Sequence, residues 1–538
     1  MLMTFLIFLT MPLNTSKNFK TSPKLPKPSV ILYFPTPFPY HRPWKGVPLA
    51  LLAISRILDK ERYTVKIYAP FLQNNSIKEI IKYTKQNKVV CLGVSAMTGF
   101  QIYDGLKISK QFKKVFSKIP IIWGGWHPSI LPIQTVKNKF IDIVVRGQGD
   151  KTFPRLVHAL EKKQNLKSIN GLTYKYKNKI ITTPDSTPVK LDDMPPLPYH
   201  LINIDKCLWG TEYGVKTLPY ISSYGCPHRC GFCVEEVVNK RHWTALSAQN
   251  IFKEWKTLIK KYKVDSIAVY DSNFFVNEKR VSDLCKLLVK YKLNIKWGNA
   301  NGRVRQLSQF KPETWKLMKK TGCAMILTGA ESGNQKALDL ISKDMNAEEI
   351  ITFTKLCHKY KIKILYSFLV GLPWSKNSSE NKIFVADEYK STLSLIDKLL
   401  KISTTNRYTY YVFLPYPGAP MFHRAVSFGY IAPKTLVGWS NYLMSPEDAF
   451  QSVLRQKWIT PKQATMTAML TQYIFGLMDL DSINMLSQRI NSKIGKFIFK
   501  FTYKITLIIV KLRWKYKYFD LPLDYWLFTQ VHKYARLI

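Results

Sequence analysis

Between residue 28 and about residue 160 the chain alternates short apolar runs with amphipathic segments, and the apolar runs lack polar alternation. Residues 29–34 (SVILYF), 64–68, 89–95 (VVCLGVS), 121–123 and 141–145 read as strands, and 49–58, 76–86 and 103–116 as helices. A strand that is apolar on both sides must be covered on both faces, and intervening helices supply the crossovers of a parallel sheet. Residues 28–165 therefore predict a doubly wound α/β domain whose ligand loops lie at the carboxyl ends of its strands. Residues 172–182 read as a hairpin and the proline-rich 191–199 (LDDMPPLPY) as an extended segment, making 166–215 a hairpin and linker. A second series of strands follows at 221–223, 266–270, 295–299, 324–328, 363–370 and 408–414, mostly separated by helices. It predicts a full or partial parallel barrel over residues 216–425 with its chemistry at the strand carboxyl ends. Residues 426–538 read as mostly helical.

The N-terminal extension, residues 1–27, begins MLMTFLIFLTMP, which is apolar but short and lacks a basic n-region and a small-residue cleavage site. A signal peptide and a true start at Met11 both stay open. No run reaches the roughly 18 uninterrupted apolar residues of a membrane span. The chain holds 81 Lys+Arg against 35 Asp+Glu, a formal charge of +46. The excess is mostly lysine spread along the whole chain beside abundant Ile, Asn and Tyr, as a compositional bias would produce. No specific nucleic-acid partner is expected, and an acidic partner or an anionic membrane surface is the alternative. Of eight cysteines, five (Cys91, Cys207, Cys285, Cys323, Cys357) are scattered singly, unlike a disulfide framework. That suits a reducing compartment, and a cytoplasmic location is expected.

The other three stand in Tyr224-Gly225-Cys226-Pro227-His228-Arg229-Cys230-Gly231-Phe232-Cys233, directly after a predicted strand. Three thiolates in one short loop can wrap an iron–sulfur cluster, and three ligands for four irons leave one iron open. A zinc site would need a fourth ligand, for which His228 and His242 are candidates. It would suit a basic RNA- or membrane-associated protein with a structural metal.

This Cys-x3-Cys-x-Phe-Cys loop after a first barrel strand resembles the radical S-adenosylmethionine (SAM) superfamily. The resemblance implies a [4Fe-4S] cluster on Cys226, Cys230 and Cys233. Its open iron would chelate SAM, and one electron would cleave the sulfonium to a 5′-deoxyadenosyl radical. It places Phe232 beside the adenine. Further matches follow in order: Tyr270-Asp271-Ser272-Asn273-Phe274, Asn301-Gly302-Arg303, Gly329-Ala330-Glu331-Ser332-Gly333, Gly371-Leu372-Pro373 and Tyr416-Pro417-Gly418-Ala419-Pro420. By the same resemblance Glu331 binds the methionine moiety, and Asp271, Arg303 and Ser332 join the SAM site.

In the first domain the loops Gly93–Gly99 (GVSAMTG), Trp123-Gly124-Gly125-Trp126-His127-Pro128 and Arg146-Gly147-Gln148-Gly149-Asp150 end strands. Glycine there lets backbone approach a ligand, and Ser95 and Thr98 can hydrogen-bond a nucleotide tail or phosphate. The arrangement resembles the Rossmann-like cobalamin-binding domain that precedes a (βα)6 partial TIM barrel in cobalamin-dependent radical SAM enzymes. The resemblance implies cobalamin held by Ser95, Thr98, Gly99, Gly124, Gly125, Trp126 and His127. The Asp-x-His-x-x-Gly sequence that supplies a lower axial histidine in many cobalamin proteins is absent, the nearest run being His41-Arg42-Pro43-Trp44-Lys45-Gly46. The fifth-strand loop reads Gly-Gln-Gly-Asp where the family often has Gly-Glu-Gly-Glu, which leaves Gln148 without an assigned role.

The family's commonest reaction, methyl transfer from methylcobalamin to an unactivated carbon, is the expectation, with cyclisation or rearrangement without methyl transfer as the alternative. The substrate would be a small molecule, a lipid or a peptide, and the electron donor a flavodoxin or ferredoxin. Near the C-terminus, Lys493, Lys496, Lys500, Lys504, Lys511 and Lys515 form a basic helical stripe beside an apolar one of Phe497, Phe501, Ile505, Ile508 and Leu512. The preferred expectation is an apolar stripe packed on the barrel with solvated lysines; peripheral contact with an anionic membrane is the other reading.

Overall fold

A computed structural model describes residues 27–39, 45–442, 456–479, 483 and 492–535. The N-terminal apolar stretch and His41 to Trp44 lie outside these residues.

The first sheet runs through β1 (Ser29–Tyr33), β2 (Thr64–Tyr68), β3 (Val89–Ser95), β4 (Ile121–Gly124) and β5 (Ile143–Val145), all parallel, in spatial order β2-β1-β3-β4-β5. All five positions of β1 are buried, as its unbroken apolar run requires. Neighbouring β1 and β3 lead to opposite sides, so the crevice at their carboxyl ends is where a doubly wound sheet takes its ligand. The expected hairpin, β6 (Leu172–Tyr176) and β7 (Lys179–Thr182), does not stand alone. It continues this sheet, β6 pairing antiparallel with β5. Its own sequence reveals the turn but not the edge it joins.

The second series begins earlier than its sequence suggests. After β8 (Trp209–Thr211), the first parallel strand is β9 (Gly214–Tyr220), whereas β10 (Ser223–Tyr224) forms a short antiparallel ladder with β11 (Thr244–Ala245). Gly214, Lys216 and Pro219 disguise β9 as a loop. Pro219 is tolerated because β8 pairs only as far as Thr217, so no strand on that side needs its missing N–H. Parallel pairing then continues through β12 (Ser266–Val269) and β13 (Lys296–Gly298), and from β14 (Ala300–Asn301) through β15 (Met325–Glu331) and β16 (Lys363–Val370) to β17 (Arg407–Val412). An isolated parallel bridge between Trp297 and Cys323 joins the two halves. The result is a partial barrel of βα units. At its amino-terminal end Glu212, in the β8–β9 turn, reaches Lys363 at 3.4 Å and Arg407 at 3.5 Å, the first residues of β16 and β17.

The C-terminal helices close the edge at β17. The Thr471 hydroxyl accepts from the Tyr410 N–H at 2.8 Å and donates to the Tyr410 carbonyl at 2.6 Å, satisfying backbone groups an edge strand would leave open. The helix Lys493–Tyr516 docks through Tyr503, Val510 and Trp514, with the Tyr503 hydroxyl donating to the Leu477 carbonyl at 2.9 Å. The preferred expectation for its apolar stripe is thereby corrected: Phe497, Phe501, Ile505, Ile508 and Leu512 face outward. Periodicity shows that a helix has an apolar stripe but not which face meets a partner.

Candidate active site between the two domains

The cysteine loop follows β10 and is held by backbone. Gly225 takes φ +80°, and a Cβ there would lie 1.8 Å from the His242 carbonyl oxygen, so only glycine fits. Gly231 donates its N–H to the Ile341 carbonyl at 2.8 Å and accepts from the Met421 N–H at 2.9 Å, which ties the loop to segments after β15 and β17. Cys226, Cys230 and Cys233 are unpaired and partly exposed. Asn273 Nδ2 lies 3.9 Å from Cys226 Sγ. Among the described residues no three His, Cys, Asp or Glu side chains converge on a point fit for one metal ion. Burial pushes the Cys226 thiol up and the Cys233 thiol up to about 12. Ligation there needs a strong counter-charge, which the irons of a cluster supply.

Beside the loop lies a charged pair that sequence reading did not find. Lys343 Nζ is 2.7 Å from Glu331 Oε1, both side chains are buried, and the ammonium sits 5.9 Å from the Phe232 ring centroid. Burial opposes the lysine's charge, and Glu331 more than compensates, holding its pKa above the ordinary range. Glu331 itself takes φ +61°, at a bulge in β15. Gly329 makes the room, since a Cβ there would meet Glu331 Oε1 at 1.9 Å. Arg303 donates to the Lys343 carbonyl, and its buried Nη1 has no partner among the described residues. Burial, then Arg303 and Lys343, push His228 down to about 4, so it is neutral at pH 7. Phe232, Glu331, Arg303 and the thiols thus share one corner of the barrel mouth in which each cation has an acidic partner, Lys343 with Glu331 and Arg303 with Asp344 at 3.7 Å.

Two other expected SAM residues are already engaged. The Asp271 carboxylate accepts from the Ser222 N–H and from the Ser222 and Ser223 hydroxyls, each at 2.6 Å, with Arg280 at 3.8 Å. It brackets the segment entering the cysteine loop. Ser332 Oγ accepts from the Asn334 N–H at 3.1 Å and lies 3.3 Å from Thr392 Oγ1, which braces the turn after β15 against the long helix Ser378–Ile402.

A cavity of about 1120 Å³ separates the carboxyl ends of the two sheets. It exceeds the roughly 300–1,000 Å³ of ordinary small-molecule sites. On the first domain's side Gly46, Gly93, Gly124, Gly125, Gly147 and Gly149 line it, with Ser95 and Trp126; on the barrel side Tyr224, Gly225, Glu235, Tyr270 and Ser272. Gly125 has φ +93°, and a Cβ there would meet Ser95 Oγ at 2.9 Å. Such a backbone-lined cradle fits a large, flat cofactor. Burial raises the Glu235 carboxyl, which accepts from Asn239 Nδ2 at 2.6 Å and from the Ser272 hydroxyl. Thr98, Gly99 and His127 do not line the cavity. His127 is wholly buried, with Nδ1 3.0 Å from Thr98 Oγ1, its ring 5.9 Å from that of Trp439, and Nε2 without a described partner. Burial holds it near 3, hence neutral.

The family profile described as B12 binding domain matches residues 42–157, and that described as Radical SAM superfamily matches 220–379. This chain is a radical SAM protein with a B12-binding domain. Among relatives of this radical SAM protein, the uncharacterized methyltransferase PH0819 of Pyrococcus horikoshii is 29% identical over 385 residues, 71% of this chain and 79% of that one. The anaerobic magnesium-protoporphyrin IX monomethyl ester cyclase of Rubrivivax gelatinosus is 24% identical over 307 residues, 56% of this chain. The match spans only about half of that cyclase's length. The solved structure of the cobalamin-dependent SAM radical enzyme OxsB, with aqua-cobalamin and SAM bound, superposes with a TM-score of 0.67 at 17% identity, covering 95% of this chain and 76% of that one. At that identity the likeness is one of fold.

The contacts that set the two domains of this radical SAM protein against each other include residues without an expected role. Gln148 donates through Nε2 to Asn239 Oδ1 at 3.1 Å and accepts from the Val189 N–H at 2.9 Å, joining the first domain to the helix that follows the cysteine loop. Buried Asp150 pairs with Arg56, and the Tyr224 hydroxyl accepts from Arg56 at 2.8 Å and donates to Asp150 at 3.2 Å. The sequence signal for Gln148, Asp150 and Tyr224 was their place at strand ends, and Arg56, at the end of the helix Leu49–Ser55, had none.

Proposed function

We propose that this chain methylates an unactivated carbon of a small-molecule substrate in a cobalamin-dependent radical SAM reaction. One observation carries the reading: a single cavity runs from the glycine wall of the first sheet to the loop that leads into Cys226, so a corrin and a SAM-bound cluster would face one substrate. When bound, the cluster supplies one electron to the sulfonium of SAM, and cobalamin supplies the transferable methyl group. Cys226, Cys230 and Cys233 hold the cluster. Phe232 offers a face to the adenine, Glu331 accepts from the methionine amino group, and Lys343 and Arg303 offer cations to its carboxylate. Ser95, Gly124, Gly125 and Trp126 form the corrin wall; Thr98, Gly99 and His127 support that wall through buried contacts. Asp271 and Ser332 position the loops. The electron comes from an external donor of the flavodoxin or ferredoxin kind.

The name of the relative from Pyrococcus horikoshii supports methyl transfer, and that of the cyclase keeps a reaction without it as the second outcome. Anaerobic purification with cobalamin, cluster reconstitution and product analysis separate them. Methyl transfer yields S-adenosylhomocysteine and 5′-deoxyadenosine together, whereas cyclisation need not yield the first. Cys230→Ala is expected to abolish iron retention and SAM cleavage. Cleavage that survives this substitution refutes the cluster assignment.

A further inference from the structure

The helix Lys493–Tyr516 carries three distinct faces. At the roughly 100° per residue of an α-helix, Tyr503, Val510 and Trp514 share the packed face. Lys493, Lys500, Lys504 and Lys511 form the next sector, and Phe497, Phe501, Ile505, Ile508 and Leu512 the outer one. The outer side chains are open: Phe497 is 71% exposed, Phe501 56%, Ile508 60% and Leu512 50%. Large exposed apolar patches bordered by polar residues mark interaction sites on soluble surfaces. The helix contains no Asp or Glu, so two copies laid stripe to stripe would bring like charges together. No described helix is long and apolar enough to cross a membrane. The exposed apolar character continues past its end at Leu521, Leu523, Trp526 and Leu527.

We propose that this helix docks the protein on the surface of an anionic lipid bilayer, its outer stripe entering the interface while the adjoining lysines meet phosphate headgroups. The net charge of +46 draws the whole chain toward such a surface. The inference is independent of the reaction proposed above.

The test is flotation of the full-length chain with vesicles of pure phosphatidylcholine or of equimolar phosphatidylcholine and phosphatidylglycerol, beside light scattering without lipid. Partition onto the anionic vesicles is expected to be roughly tenfold greater and to weaken with salt. The variant Phe497→Ser/Phe501→Ser/Ile508→Ser should lose it, and Lys500→Gln/Lys504→Gln/Lys511→Gln should lose the preference for anionic lipid. Both should keep the parent's melting temperature and SAM cleavage in vesicle-free buffer, which shows that they fold. Undiminished binding by the serine variant overturns the proposal, as does equal partition of the parent onto neutral vesicles. So does a dimer that the serine substitutions dissociate, since a second copy would then cover the stripe.

Discussion

The two walls of the central cavity are built on opposite principles. The first domain presents six glycines set among apolar side chains such as Val47, Ile54, Val94 and Trp126, with its buried histidine turned away toward Trp439. The barrel presents side chains, among them Tyr224, Glu235, Tyr270 and Ser272, and next to its cysteine loop it carries a buried Lys343–Glu331 pair that does not itself line the cavity. A wall made by leaving side chains out is cheap in stability and sensitive to anything added. A barrel mouth braced by buried charge depends on each partner, because an ion left alone in a dry site is far costlier than the pair.

The largest effect should come from breaking the pair. Lys343→Met leaves Glu331 without its partner and should cost about 4 kcal/mol in urea unfolding. Adding Glu331→Gln should recover most of that, and no recovery would mean the lysine acts by packing. Next is Gly225→Ala, where a positive φ and a clash with the His242 carbonyl should cost about 3 kcal/mol and reduce iron retained after reconstitution. His127 gives the first domain a pH signature. Its folded pKa, near 3, lies below the ordinary 6.5. The unfolded chain therefore binds the extra proton between those values, and stability falls as pH drops through that window, by up to about 1.4 kcal/mol per pH unit. His127→Gln should flatten the slope. The smallest change in stability belongs to Gly124→Leu: a Cβ there meets nothing nearer than 3.6 Å, so the cost should stay under about 1 kcal/mol. Cobalamin retention, read from the absorbance of the purified protein, should nonetheless fall at least roughly tenfold if bulk alone spoils the glycine wall. Unchanged retention would break the contrast between the walls.

Much of this was legible in the chain itself, where local pattern and tertiary role agree. The unbroken apolar runs of β1 and β3 could only be buried parallel strands, and the cysteine triplet announced its chemistry by ligand type and spacing. What escaped depended on long-range contact. Nothing around Lys343 marks it as the partner of Glu331, and Gln148 looked like a departure from a familiar loop until Asn239 and Val189 came within reach of it. Asp271 and Ser332 matched expected positions yet spend their oxygens on neighbouring loops, because a motif gives a residue's place at a strand end and not the direction of its side chain. β9 was hidden by glycine, lysine and proline, which its short pairing with β8 tolerates.

The pinning of Gly231 between Ile341 and Met421 has a consequence for biosynthesis. Those partners emerge from the ribosome long after the cysteines, and the Tyr224 contact with Asp150 needs the first domain already folded. The loop therefore reaches its final shape only once nearly the whole barrel has been made. A chain that ends before Ile341 lacks both of these anchors, and it should retain less iron after reconstitution than the full chain.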